Sequence, residues 1–261
     1  MLKMILSALF LIPASQGFID FNPICTKLVE YKDSQNTVLE GYLAYPVITG
    51  FFRKRPAVII FHAFTGRTEF DNQKARDLAK VARLRSFCRR YLWKRKSRSR
   101  CEWKFCHYGR TTTLRSWILS AWNYVRGLKY VQTNNIGSIG FCFGGLCTLD
   151  LARFNVGLKA AVSFHGTLTD YPGNGTTIDA SIQAHHGDAD PHTTNQNADD
   201  FIEEMRRRNG DWMFSRYAHA VHAFTLPGVE NWEIPGAAFD PIASNRSWSA
   251  MKSFLTEKLS N

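Results

Sequence analysis

Six residues, Gly140-Phe141-Cys142-Phe143-Gly144-Gly145, stand between a short apolar run and a helix-forming stretch. A strand, a G-x-C-x-G turn and a helix make an elbow that lifts its central side chain above a sheet. The helix start adds N–H groups and a positive dipole end, both favourable to a thiolate. Cys142 is thus a candidate nucleophile. The other reading of the same string is a buried structural cysteine in a glycine-rich turn. Cys147, farther along the same helix, reads as packed rather than reactive.

A nucleophile of this kind needs a base and an acid. His186-Gly187-Asp188-Ala189-Asp190-Pro191 follows a strand and can set a carboxylate in the loop at its end. Asp190 is preferred over Asp188, because the Asp-Pro step opens a turn beyond the strand. Tyr217-Ala218-His219-Ala220-Val221-His222-Ala223-Phe224 follows the last strand and can deliver an imidazole, with His222 preferred and His219 its rival. His185 and His186 lie on the strand itself and read as core or supporting groups. The chain order of nucleophile, acid and histidine is that of the hydrolase fold, not of trypsin or subtilisin. Cys142 would attack a carbonyl, His222 would shuttle the proton and Asp190 would orient His222. Two N–H donors for the oxyanion are expected from Phe143 and from the loop after Ala57–Phe61, at Ala63 or Phe64.

The elements needed to position these groups are visible as an alternation. Val38–Tyr45 alternates with period two, and Ala57–Phe61 (AVIIF) is a continuous apolar run, as in a strand covered on both faces. Ile136–Phe141, Ala160–Phe164, Ile182–His186 and Trp212–Tyr217 predict further strands. Helices are predicted over Glu69–Lys80, Leu114–Leu128, Leu146–Phe154, Ala198–Arg208 and Ala243–Leu259. The alternation argues for an α/β fold with a mostly parallel sheet flanked by helices, and ligands then bind at the carboxyl ends of the strands.

At these residues the chain resembles the dienelactone hydrolases, a branch of the α/β-hydrolase fold. GFCFGG, HGDADP and the HAF of Val221–Phe224 resemble the family's three catalytic motifs. FHAFTGRTEF (Phe61–Phe70) resembles its oxyanion loop, and RTTTLR with NYVRGL (Arg110–Leu128) the helix before the elbow. The resemblance implies hydrolysis of lactones, enol esters or related carboxylic esters through a cysteine nucleophile, with no metal or other cofactor. One departure is visible: members carry a Glu in the oxyanion loop beside the resting thiol, and Ala63 stands at that place.

Length and charge bound the rest. The 261 residues suit a single domain, 18–261, behind a secretory signal over 1–17: Lys3, an apolar run from Met4 to Ile12, then Pro13, Ala14, Ser15 and Gly17. The alternative is a cytoplasmic protein with a buried N-terminal element. No other segment reaches the length of a membrane span. Asn174-Gly-Thr176 and Asn245-Arg-Ser247 are acceptor sites compatible with secretion.

With 33 Lys and Arg against 22 Asp and Glu, the net charge is +11. Val81 to Arg110 holds eleven of the basic residues and one acid, Glu102, so the rest of the chain is nearly neutral. Nucleic acid is therefore not an expected partner, although the segment could act as a basic patch with Phe87, Tyr91, Trp93, Trp103 and Tyr108 for stacking. Cys88, Cys101, Cys106 and His107 fit no common zinc spacing. A small-molecule ester or lactone is the expected partner.

The resemblance calls for a strand resembling GYVAFAADIYGKG after the helix ending near Lys80. Written as degenerate codons and read one base further on, Ala82–Lys96 permits LGYVAFAADIYGKG without interruption. Val81 to about Gly109 therefore reads as an out-of-frame segment. Its own text places Leu78, Val81, Leu84, Cys88 and Tyr91 at helical spacing, which predicts a prolonged helix and a basic loop in place of one central strand. A missing central strand would strip hydrogen bonds from both neighbours. The alternative functional reading is accordingly a catalytically impaired protein of the same fold, or a basic-patch binder.

Overall fold

The structure of the protein, a computed structural model, describes residues 23–47, 54–81, 112–171 and 177–260, and the backbone of 85–90. The signal expected at Met1–Gly17, Asn174, and most of the basic segment with Cys101, Cys106 and His107 lie outside the described residues.

Eight strands form one sheet among the described residues: β1 (Ile24–Lys32), β2 (Val38–Pro46), β3 (Arg55–Phe61), β4 (Arg85–Arg90), β5 (Val131–Phe141), β6 (Ala160–Phe164), β7 (Ser181–Gly187) and β8 (Trp212–Tyr217). Their order is β1-β2-β4-β3-β5-β6-β7-β8. β1, β2 and β4 pair antiparallel in turn, and every pair from β4 through β8 is parallel. The helices are α1 (Glu69–Lys80), α2 (Thr112–Arg126), α3 (Phe143–Arg153), α4 (Asn195–Arg207) and α5 (Pro241–Leu259). This is the expected α/β-hydrolase-like architecture.

The apolar runs explain the layering. Ile59 and Phe61 point to one face of the sheet, and Val58 and Ile60 to the other, as period two requires. The first face packs on Ile118 and Trp122 of α2, Leu149 of α3, and Phe201 and Met205 of α4. The second packs on Ala75 and Leu78 of α1 and Met251, Phe254 and Leu255 of α5. Both faces are covered, so a central strand such as β3 needs no polar side.

The missing central strand is a correction. Helix α1 stops at Val81, whose backbone is extended, and Cys88, expected on its continuation, lies in a strand. Arg85–Arg90 forms β4 in the slot between β2 and β3. Its backbone pairs Glu40 with Arg90 through Ala44 with Ser86 on one side, and Ala57 with Arg85 through Ile60 with Cys88 on the other. The physical reason is that an empty slot would leave two rows of N–H and C=O groups without partners. That demand outweighs a helical spacing carried by five residues. β1, which the sequence reading does not anticipate, adds an antiparallel edge beyond β2.

Candidate active site

The elbow is built on close packing. β5 ends at Phe141, α3 begins at Phe143, and Cys142 between them is held at φ 55° and ψ −116°. A Cβ on Gly140 would sit 1.9 Å from the Gly144 carbonyl oxygen, and one on Gly144 would sit 2.0 Å from that of Phe61. Both positions therefore exclude any side chain. The positive φ of Cys142 is the cost of presenting its sulfur at the carboxyl end of the sheet.

Two loops converge on that sulfur. Asp190, buried, follows β7, and its Oδ1 accepts the backbone N–H groups of His192 (2.8 Å) and Thr193 (3.1 Å). Its Oδ2 accepts Nδ1–H of His222 at 2.8 Å. The other imidazole nitrogen, Nε2, lies 3.1 Å from Cys142 Sγ. His222 follows β8 on a loop packed directly against the acid's loop: Ala189 N–H donates to Ala220 at 3.0 Å, and a Cβ on Gly187 would meet that same carbonyl oxygen at 2.5 Å. The chain then returns through a 3₁₀ turn at Val229–Trp232. His222 N–H donates to Gly236, and Ala238 N–H donates to His222, at 3.0 and 3.1 Å.

Charge follows geometry. Burial disfavours the ionised form of Asp190. The hydrogen bond and charge of His222, with the two backbone N–H groups, outweigh it and hold Asp190 below the usual carboxylate range. Burial likewise opposes a charged His222. The Cys142 sulfur and the Asp190 carboxylate reverse that and push His222 up to about 10.

The rival residues stand elsewhere. Asp188 is exposed and faces Arg216 at 3.9 Å. His219 is exposed in a turn with φ 65°. His185 and His186 are buried in β7, where His185 Nδ1 lies 2.9 Å from the Tyr217 hydroxyl, and Cys147 is buried in α3. Phe143 and Phe64 line the same cavity as Cys142 and His222. Ala63 packs with Ala223, Leu226 and Val229 beside Cys142, and its carbonyl accepts His62 Nδ1–H at 2.6 Å and Gly66 N–H at 3.1 Å. The remaining wall is largely apolar, with Leu226, Val229, Trp232 and Ile234, and Trp232 stands edge-on to Phe64.

The sequence profile of the dienelactone hydrolase family matches residues 39–259. The chain belongs to that family. Among dienelactone hydrolase relatives of known structure is the dienelactone hydrolase-like promiscuous phosphotriesterase P91 from metagenomic libraries. It is 28% identical with a TM-score of 0.83, over 90% of this chain and 98% of that one. A probable 2-oxo-3-(5-oxofuran-2-ylidene)propanoate lactonase from a Bradyrhizobium species is 27% identical over 222 residues, 80% of this chain and 85% of that one. An uncharacterized protein of Caenorhabditis elegans is 42% identical over 151 residues, 57% of this chain and 96% of that one. The family is one of hydrolases, and a small-molecule substrate suits it.

One polar residue at the site escapes the sequence reading. His165, at the end of β6, is fully buried with φ 39°. Its Nδ1 accepts the Cys142 N–H at 3.2 Å, an N–H that also reaches the Phe164 carbonyl at 3.0 Å. Its position just past a strand's carboxyl end was the available signal. Among the described residues, no group of three or more His, Cys, Asp or Glu could hold a metal ion, and no helix is long and apolar enough to cross a membrane.

Proposed function

We propose that the protein hydrolyses carboxylic esters and lactones by acyl transfer to Cys142 and then to water. The observation that carries this reading is the line Asp190 Oδ2–His222 Nδ1–His222 Nε2–Cys142 Sγ, with spacings of 2.8 and 3.1 Å. A protonated His222 beside the sulfur stabilises the thiolate that attacks.

The thiolate attacks the carbonyl carbon, and the oxygen that becomes negative is met by backbone N–H groups of Phe143 and of Phe64 or Ala63. The tetrahedral adduct collapses as His222 Nε2–H gives its proton to the leaving oxygen. A lactone keeps that new hydroxyl on the acyl chain; an ester releases it as an alcohol. His222, now neutral, takes a proton from water as that water attacks the thioester. The carboxylic acid leaves, the thiolate reforms and His222 is again protonated. Asp190 remains ionised throughout and fixes which imidazole nitrogen faces it.

The lactonase and phosphotriesterase named among the relatives support a site open to more than one acyl or phosphoryl group. The N-terminal run Met4–Ile12 supports a secreted enzyme, which detection of the mature chain in culture medium would test.

The deciding experiment uses para-nitrophenyl acetate and a simple enol lactone. The intact protein turns both over, and iodoacetamide abolishes turnover as it labels Cys142. Activity surviving in Cys142→Ala would remove Cys142 from its assigned role.

A further inference from the structure

His165 touches both halves of the proposed machinery through its two ring nitrogens. Nδ1 faces the Cys142 N–H at 3.2 Å, and Nε2 lies 2.7 Å from Thr225 Oγ1, three residues beyond His222 on the same loop. Its own backbone N–H is tied to the His185 carbonyl at 2.8 Å, which fixes the turn that carries it. Its ring meets that of His222 edge to face, with centroids 5.5 Å apart.

The tautomer follows from the partners. An N–H donor from Cys142 requires a lone pair on Nδ1, so the ring hydrogen lies on Nε2 and donates to Thr225. A second proton has no place. Burial above all, and then the charge on His222, hold His165 well below the ordinary imidazole range. The side chain is thus a neutral rigid spacer with one accepting and one donating end.

We propose that His165 is a positioning residue that registers the strained Cys142 turn against the loop bearing His222, and so sets the sulfur-to-imidazole distance. It acts through Cys142 and His222 and takes no proton itself. The inference rests on the reading of Cys142 as nucleophile. It extends that reading to a residue whose only connection with Cys142 is tertiary.

Three variants test it, each read by kcat and KM for para-nitrophenyl acetate and by the rate at which iodoacetamide labels the Cys142 peptide. His165→Phe keeps a planar ring and removes both hydrogen bonds. The expected result is a fall in kcat of about tenfold to a hundredfold, with KM changed less than about threefold and labelling slowed in parallel. His165→Asn places a carbonyl oxygen near the site of Nδ1 and tolerates a positive φ, so it recovers about tenfold of that loss. Thr225→Val cuts the far link alone and lowers kcat and labelling by about threefold to tenfold.

A folded His165→Phe with kcat and labelling near those of the intact protein overturns the proposal. So does a His165→Asn no better than His165→Phe. If His165→Phe fails to fold, Thr225→Val decides: unchanged kcat and labelling overturn it. An intact protein that cleaves no ester would instead defeat the proposed function, and the labelling rates would still decide the place of His165.

Discussion

Asp190 and His222, 32 residues apart and on separate loops, meet through a 2.8 Å hydrogen bond between Oδ2 and Nδ1. The other oxygen of Asp190 is already committed to the backbone of its own loop. The carboxylate therefore has one direction in which to reach, and the loop that follows β8 supplies the partner there.

Asp190→Asn exploits that asymmetry. The N–H groups of His192 and Thr193 will hold the amide oxygen in place of Oδ1, turning the amide NH₂ toward His222. Nδ1 must then carry a lone pair, and a doubly protonated imidazole is lost. We expect kcat for an activated ester to fall by about a hundredfold or more with the fold retained. A variant within tenfold of the intact protein would show that Asp190 is not the orienting acid.

The protonation of His222 gives a second measurement. Its folded value, about 10, lies above its ordinary 6.5, so the proton is held more tightly in the native state. The stabilisation this brings is fully present below about 6.5 and is lost as pH rises through about 10. Imidazole resonances should show His222 charged at neutral pH. In Cys142→Ala the sulfur is gone and the titration should move down. An unmoved titration in that variant would mean the sulfur does not hold the proton.

A buried ion network joins the elbow helix to the helix after the acid loop. Arg153 donates to Asp150 at 2.9 Å and to both oxygens of Glu204 at 2.9 and 2.5 Å, and Arg208 donates to Glu204 at 2.9 Å. All four side chains are buried. Glu204→Gln leaves two guanidinium groups short of charge, and we expect a loss of about 3–5 kcal/mol in urea unfolding. A loss under about 1 kcal/mol would mean that the network contributes little.

The last prediction concerns β4. The codons of Arg85–Arg90, read one base further on, permit VAFAAD, apolar text of the kind that fills parallel strands covered on both faces. A chain with VAFAAD in place of Arg85–Arg90 should melt at a higher temperature. The transcript should carry the shifted frame; a message that encodes RSFCRR in frame would sink the frame reading.

Much of the frame was legible because both faces of the sheet are covered. AVIIF at β3 is a continuous apolar run, and AAVSF at β6 is interrupted only by Ser163, as expected of buried strands. Cys142, Asp190 and His222 could be singled out because each follows an expected strand, where side chains emerge at the strand's end. β1 was illegible for the opposite reason. ICTKLVEYK is an edge, half solvated, and its lysines and glutamate blur the alternation. β4 was misread because local spacing describes one turn of chain at a time, while the demand for a strand came from β2 and β3. His165 was passed over because a lone histidine after a strand resembles any buried core histidine until its neighbour across 23 residues is known.

The chain between Leu226 and Asp240 both walls the cavity, through Val229, Trp232, Ile234 and Ala237, and clasps the backbone of His222. On the proposed mechanism, selectivity and turnover are therefore inherited together. A substitution in this strap that admits a bulkier acyl group will also shift the imidazole, so variants selected for new substrates should show pleiotropic losses of rate. Compensating changes should accumulate at Phe64, which packs edge-on against Trp232 but carries no part of that clasp.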